Sequence, residues 1–344
     1  MRAPEAPADP TGSAGPAPVA EAGSDGGQIN SGPASRSGLT LRSFWHNKRA
    51  MSGAWIVLFM ILFCFVAPLF YHPNLTTVNL NLANNPPGNG FPLGTDEYGT
   101  DVLGRLMVGG QSSLELGFAV AIASTVFGAI FGAISGMIGG FIDAILMRFV
   151  DTVLAVPTFI LLLILASMYT LNLTTIIIVL SVLSWPPVSR LVRAEVLSLW
   201  TRDFVHAATL MGATRRRILG LHLLPNTFNV FIVTATFGVA DSIYALSALS
   251  FLGLGPPPPF ADWGTMLTTG VDNLFNGYWW QVYPPMIALV LTVLAFRQIG
   301  DACNDLIGGH RGAVRVRRRR AGLLPMSTRY DHGEIIADPS SLTD

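Results

Sequence analysis

The sequence predicts an all-α membrane protein with six transmembrane helices, and three observations carry that prediction. Of 344 residues, 51% are hydrophobic and 12% charged, against a charged share of about 25% in soluble domains. Six apolar windows are each long enough to cross roughly 30 Å of hydrocarbon. The basic residues collect on one side of the alternating loops, so a net charge of zero hides a strong segregation.

Taken in order, residues 1–40 are rich in Ala, Pro, Gly and Ser, with almost no large apolar side chains. This composition predicts a disordered cytoplasmic tail. No short apolar core directly follows basic residues, so the first window, 54–70, reads as a retained span rather than a cleaved signal. Residues 41–111 hold that span and an extracytoplasmic segment. In it Leu93-Gly94-Thr95-Asp96 has turn chemistry, and a short helix from Asp101, with Val102, Leu103 and Leu106 on one face, is expected to lie along the outer surface. The other spans are expected at 112–138, 149–168, 173–192, 228–254 and 283–299. They make a five-helix core over 112–310 that contains a loop at 193–226, and a basic tail follows at 311–344.

Orientation comes from the basic residues. Arg42, Lys48 and Arg49 precede the first span, Arg148 lies between the second and third, the arginines of 190–217 lie between the fourth and fifth, and those of 311–320 follow the sixth. The opposite loops carry only Arg105. Both termini are therefore placed in the cytoplasm. Trp45, Trp55, Trp185, Trp200, Trp263, Trp279 and Trp280 mostly fall near span ends, where interfacial anchoring is expected.

Several motifs have an ordinary structural reading. Gly128, Gly132 and Gly136, with Ala129 and Ala133, form a small-residue ridge that lets helices approach closely. Asp143, Asp151, Asp301 and Asp305 lie near the cytoplasmic face, where local pairing with Arg148 and Arg297 is expected. The arginine run 317–320 directly follows a span and reads as an anionic-lipid anchor rather than a nucleic-acid site. Cys64 and Cys303, far apart and in or near spans, read as packing residues, with no metal site. Val108-Gly109-Gly110-Gln111-Ser112 looks like an ATPase signature, yet the chain has one lysine, Lys48, and no Gly-Lys phosphate loop. All six histidines lie outside the spans, which argues against a hydrolytic membrane enzyme.

Two features ask for a function. Asp241 falls near the middle of the fifth span, where a carboxylate costs roughly 2.5 to 3.5 kcal/mol. It lines a translocation path or bonds to a neighbouring helix. The second feature is the loop at 193–226. Asp203 is a helix cap candidate, and Phe204, Ala207, Ala208 and Met211 fall on one apolar face. Gly212 is a natural αL stop, Thr214 caps a turn carrying Arg215, Arg216 and Arg217, and Leu224-Pro225 predicts an extended residue before the next span. The small apolar face suits a soluble partner's groove or the lipid headgroups.

The pattern His206-Ala207-Ala208, three residues, Gly212, nine residues, His222-x-Leu224-Pro225 resembles the EAA loop of ABC importer permeases. His206 stands where that pattern has Glu, and His222 where it has Ile. PLGTDEYGTDVLGR, GG-x2-D-x3-MR-x2-D from Gly139, RLVRAEVLSL, LSFLGLG, WGTML and GDACNDL are similar to the C-type permease subunit of dipeptide and oligopeptide importers. Gln111 and Leu246 stand where that family usually has Arg and often has Glu. The resemblance implies the type I ABC importer permease fold with a cytoplasmic coupling helix, and a non-enzymatic subunit in the cytoplasmic membrane. It implies a homologous second permease, two cytoplasmic ATPases that hold the ATP and Mg, and an extracytoplasmic substrate-binding protein. The coupling positions carried over are His206, Ala207, Ala208, Gly212, Ala213, His222, Leu224 and Pro225. A nickel or other small-cargo importer permease is the alternative within this class, and a secondary transporter or channel without an ATPase is the alternative outside it.

Overall fold

The computed structural model describes residues 47–71, 78–88, 90–257 and 260–320, with only the backbone described for 306–320 and for His222. The expected tail at 1–40 and most of the basic tail, 321–344, lie outside the described residues, as does Trp45. Among the described residues every regular element is helical. Five helices are individually long and apolar enough to cross a membrane, and a bent pair provides the sixth crossing when taken as one broken span.

The helices are α1 (Lys48–Phe70), α2 (Val102–Ile138), α3 (Gly140–Leu154), α4 (Thr158–Met168) and α5 (Leu173–Trp200). They continue as α6 (Asp203–Leu210), α7 (Arg215–Ile218), α8 (Leu224–Phe251), α9 (Trp263–Leu274) and α10 (Tyr283–Arg320).

Several boundaries differ from the sequence reading, and three of them have a local reason. The short outer helix expected at Asp101 does not stop before the second span. Asp101 caps it, accepting from the Leu103 and Gly104 amides, and no proline interrupts residues 102–138, so α2 runs for 37 residues. At 1.5 Å per residue that is about 55 Å, well beyond the bilayer core. The boundary at 111/112 therefore falls inside one helix. The third span is not a single straight helix, because α3 and α4 meet at a 63° bend. Pro157 sits at that bend; its ring would clash with the carbonyl four residues back and it has no N–H to give. Finally, α10 passes through 310/311 and reaches Arg320.

Two prolines that open helical segments are each preceded by a π turn. Leu62–Val66 precedes Ala67-Pro68, with the Ala67 amide donating to the Leu62 carbonyl. Leu219–Leu223 precedes Leu224-Pro225, with the Leu224 amide donating to the Leu219 carbonyl. The wider turn takes up the steric demand of the ring without breaking the rod. Leu224 is consequently helical, at φ −57° and ψ −45°, and not the extended residue expected before a proline.

The close contact of the fold is between α2 and α5. A Cβ on Gly132 would sit 2.2 Å from the Ser189 carbonyl oxygen, and one on Gly128 2.7 Å from the Trp185 oxygen. The small-residue ridge thus packs backbone on backbone within the chain. On one side of it, Cys64, Leu106, Leu114, Ile243 and Trp263 share a core. On the other, Ala129, Ala133, Val192 and Val196 share another with the loop residues Val205, Ala208 and Ile218.

The tryptophans split between two roles. Trp55 and Trp279 are exposed, as interfacial residues are. Trp185, Trp263 and Trp280 are buried instead, and the latter two direct their indole N–H groups to the Leu106 and Thr95 carbonyls. A buried indole needs such an acceptor.

Replacing Gly132 with Ala forces α2 off α5 and is expected to cost about 1 to 3 kcal/mol by overpacking. Gly220→Ala, with nothing within 4 Å of the new Cβ, is expected to be close to neutral. Unfolding in detergent measures both; equal stability of the two variants contradicts the packing account.

Candidate functional site

The loop between the fourth and fifth spans begins later than its sequence suggests, because α5 continues to Trp200 as part of one helix. After a turn at Thr201, α6 starts with Arg202 as its N-cap and Asp203 inside its first turn. Asp203 thus favours the helix through its charge at the N-terminus rather than as the cap. The end is a Schellman motif: Ala213 donates to the Ala208 carbonyl, Gly212 donates to that of Thr209, and Gly212 has φ 82°. Thr214 then caps α7, its hydroxyl accepting from the Arg217 amide at 3.4 Å. His222 lies in the π turn that leads into Pro225, and its side chain is outside the described residues.

The expected apolar face of α6 is divided in two. Ala208 turns inward and, with Val205, packs among Val192, Val196, Ile218 and Leu223, with Ala213 and Leu224 at the edge. His206 and Ala207 are exposed, as is Phe204. At the C-terminal end Leu210 is 90% exposed and Met211 82%. The helix therefore does find packing within its own chain, which the pattern alone does not reveal. Period-3.6 spacing groups Ala208 with Phe204 and Met211, whereas the inward stripe is the narrower pair at 205 and 208. Leu210 escapes notice in the sequence because it falls outside the grouped positions.

Above the loop, two arginines of α5 tie it to α3. Arg193 donates from Nε to Asp143 Oδ1 at 2.6 Å and from Nη2 to Oδ2 at 2.5 Å, a bidentate pair to which the Ser135 hydroxyl also donates. Arg190 pairs with Asp151. Both carboxylates do pair, but across to α5 rather than with Arg148. The α2–α3 junction they brace consists of two consecutive glycines, Gly139 and Gly140, both with positive φ. The readable signal is the spacing: two carboxylates on one helix and two arginines one turn apart on another.

Asp241 does not stand alone in its span. Its Oδ1 accepts from Arg297 Nη2 of α10 at 2.7 Å, and both side chains are at least half exposed. Sequence reasoning assigns Arg297 instead to the carboxylates just after it, Asp301 and Asp305.

At the opposite end of the spans from the 193–226 loop, Arg105 pairs with Asp96, which also accepts from the Tyr98 amide and from the Thr100 amide and hydroxyl. The arginine that breaks the charge asymmetry is thus neutralised where it stands. Nearby, Asp262 caps α9 in a capping box, its Oδ1 accepting from Gly264 at 2.7 Å and Thr265 at 3.2 Å. Burial pushes the Asp262 carboxyl above its ordinary 3.8, against the opposing hydrogen bonds from the Thr265 and Gly264 amides.

With this geometry in place, the comparisons with known proteins identify the class. Residues 128–309 match the family described as binding-protein-dependent transport system inner membrane component. Residues 35–87 match the N-terminal TM domain of oligopeptide transport permease C. The chain belongs to the binding-protein-dependent transport permeases and has their type I ABC permease fold. It is 36% identical over 261 residues to the dipeptide transport system permease protein DppC of Bacillus subtilis, covering 76% of this chain and 82% of that one. It is 35% identical to the oligopeptide transport system permease protein OppC of the same organism, over 77% of this chain and 86% of the relative. A putative peptide permease protein of Brucella suis is 39% identical over 80% of this chain and 91% of its own length.

Two outcomes test the electrostatics. Arg193→Met leaves the buried Asp143 charge without its main partner and is expected to cost on the order of 2 kcal/mol. Adding Asp143→Asn should recover part of the loss in detergent unfolding, which a merely bulky defect would not show. For Asp262, the raised native value means that the folded chain keeps a proton the unfolded chain has released, so stability falls as pH rises above about 4. Asp262→Asn still caps α9 and is expected to flatten that part of the stability–pH curve; an unchanged curve contradicts the burial argument.

Proposed function

We propose that the chain is one permease half of an ATP-driven importer of di- and oligopeptides, with both termini in the cytoplasm. Peptide cargo is supported by the named functions of the relatives and by the oligopeptide-permease match at 35–87. In this reading a homologous second permease completes the path, two cytoplasmic ATPases bind and hydrolyse ATP with Mg, and an extracytoplasmic binding protein delivers the cargo. This chain performs no catalysis of its own.

The observation that carries the reading is the division of α6. Val205 and Ala208 hold it to the spans, while Leu210 and Met211 present an apolar end outward beside the bend at Gly212. An apolar helix end that is rigidly braced from behind suits insertion into a groove of a soluble partner. Such a helix transmits a push. It leads back through Arg202 to α5, and forward through α7 and the π turn to α8. His206, exposed at the position of the family's acid, supplies a ring to that contact in place of a carboxylate.

Because Ala208 faces the chain's own core, Ala208→Glu would disturb folding as well as docking. Leu210→Glu and Met211→Asp are the cleaner variants, since each alters an exposed side chain. Interface anchors are worth about 2 kcal/mol or more, so peptide uptake by the reconstituted importer is expected to fall on the order of tenfold or more. The variants should still insert in the membrane, with ATP hydrolysis no longer linked to uptake. Normal uptake in both sinks the docking assignment.

A further inference from the structure

We infer that Asp241 and Arg297 line the cargo route and take the two charged ends of a zwitterionic peptide, an inference that rests on the peptide reading above. Depth is the first ground. Asp241 lies about 15 Å from the outer end of α8, and Arg297 about 21 Å from the start of α10, at 1.5 Å per residue. Measured from those ends, both distances are shorter than the roughly 30 Å thickness of a hydrocarbon layer.

Exposure is the second ground. The Asp241 side chain is 65% exposed and that of Arg297 50%. Charged groups inside spans are costly in lipid and face a bundle interior or a water-filled cavity. The face of α8 and α10 that bears this pair is therefore turned to water or protein in the assembled importer, not to acyl chains. Tyr244, one turn outward on the same face of α8, is 61% exposed and gives that face a polar-tipped aromatic.

Chemical matching is the third. A peptide with free ends carries an ammonium and a carboxylate whatever its side chains. Asp241 accepts from the ammonium, and Arg297 donates to the carboxylate through its planar fork. One resting ion pair opens and two new ones form; no covalent bond changes, no proton moves and the net charge of the route stays constant. Because the resting pair must open first, cargo binds weakly enough to leave again, as passage demands. Reading only the ends also leaves the side-chain sequence of the cargo free.

The test uses the complete importer in membrane vesicles. Cys303→Ser leaves buried Cys64 as this chain's own remaining cysteine, and Tyr244→Cys then places a reporter beside the pair without altering it. A charged, membrane-impermeant thiosulfonate reagent is expected to label this cysteine, and a dipeptide with free ends to slow the labelling on the order of tenfold. Adding Arg297→Gln or Asp241→Asn should abolish that protection. An unreactive reporter, or protection that survives both substitutions, overturns the assignment. Uptake of radiolabelled dipeptide by the Cys303→Ser importer separates the two levels: no uptake defeats the peptide reading itself, whereas uptake without protection defeats only the role of the pair.

Discussion

Backbone contact between the second and fourth spans sets the geometry on which the rest of the molecule depends. Gly128 and Gly132 lie so close to the carbonyls of Trp185 and Ser189 that no side chain fits between. In a bilayer, where apolar side chains gain little by leaving lipid for one another, such close packing is a principal source of helix association. The contact fixes α5 along its length, and α5 does not stop at the membrane surface. It projects to Trp200, so the position of α6 is inherited from glycines placed deep in the bundle.

That inheritance is reinforced at two further points. Arg193 and Arg190 bind the same part of α5 to α3, across a double-glycine junction that would otherwise pivot freely. On the other side of the loop, the π turn before Pro225 keeps α7 and α8 in one continuous helical path. A short helix that docks on a partner is useful only if its movement is not absorbed locally. Here α6 is joined to α5 by a two-residue turn at Thr201-Arg202, and to α7 by the Schellman turn at Gly212 and the Thr214 cap.

Much of this is legible in the sequence, and the limits have physical reasons. Apolar length gives the spans, since hydrocarbon thickness acts on local composition. The Gly212 stop and the Thr214 cap are legible because each depends on a single residue's own conformational preference. Choices made by neighbours at long range are not. Ala208 turns inward because Val192 and Val196 are there, and Asp143 pairs with Arg193 rather than Arg148 because α3 lies against α5. Apolar length hides the proline break at Pro157, where the expected span 149–168 bends, and proline rules mislead at Pro225, where a π turn absorbs the ring.

Arg105, the one basic residue that looks anomalous by sequence, and Arg297, expected to pair near its span end, have the same resolution with opposite consequences. Arg105 is the lone cation of the outer segment, and Arg297 lies inside a span; each is neutralised by one carboxylate. Asp96, however, is buried and held by several further donors, so the Arg105 pair is a fixed part of the outer structure. Asp241 and Arg297 share one hydrogen bond and remain largely exposed. An ion pair with few other ties at membrane depth is one that a charged visitor can open. The difference between a structural pair and an exchangeable one therefore lies in how many other donors hold the carboxylate, a property set by the fold around it and not by the charges themselves.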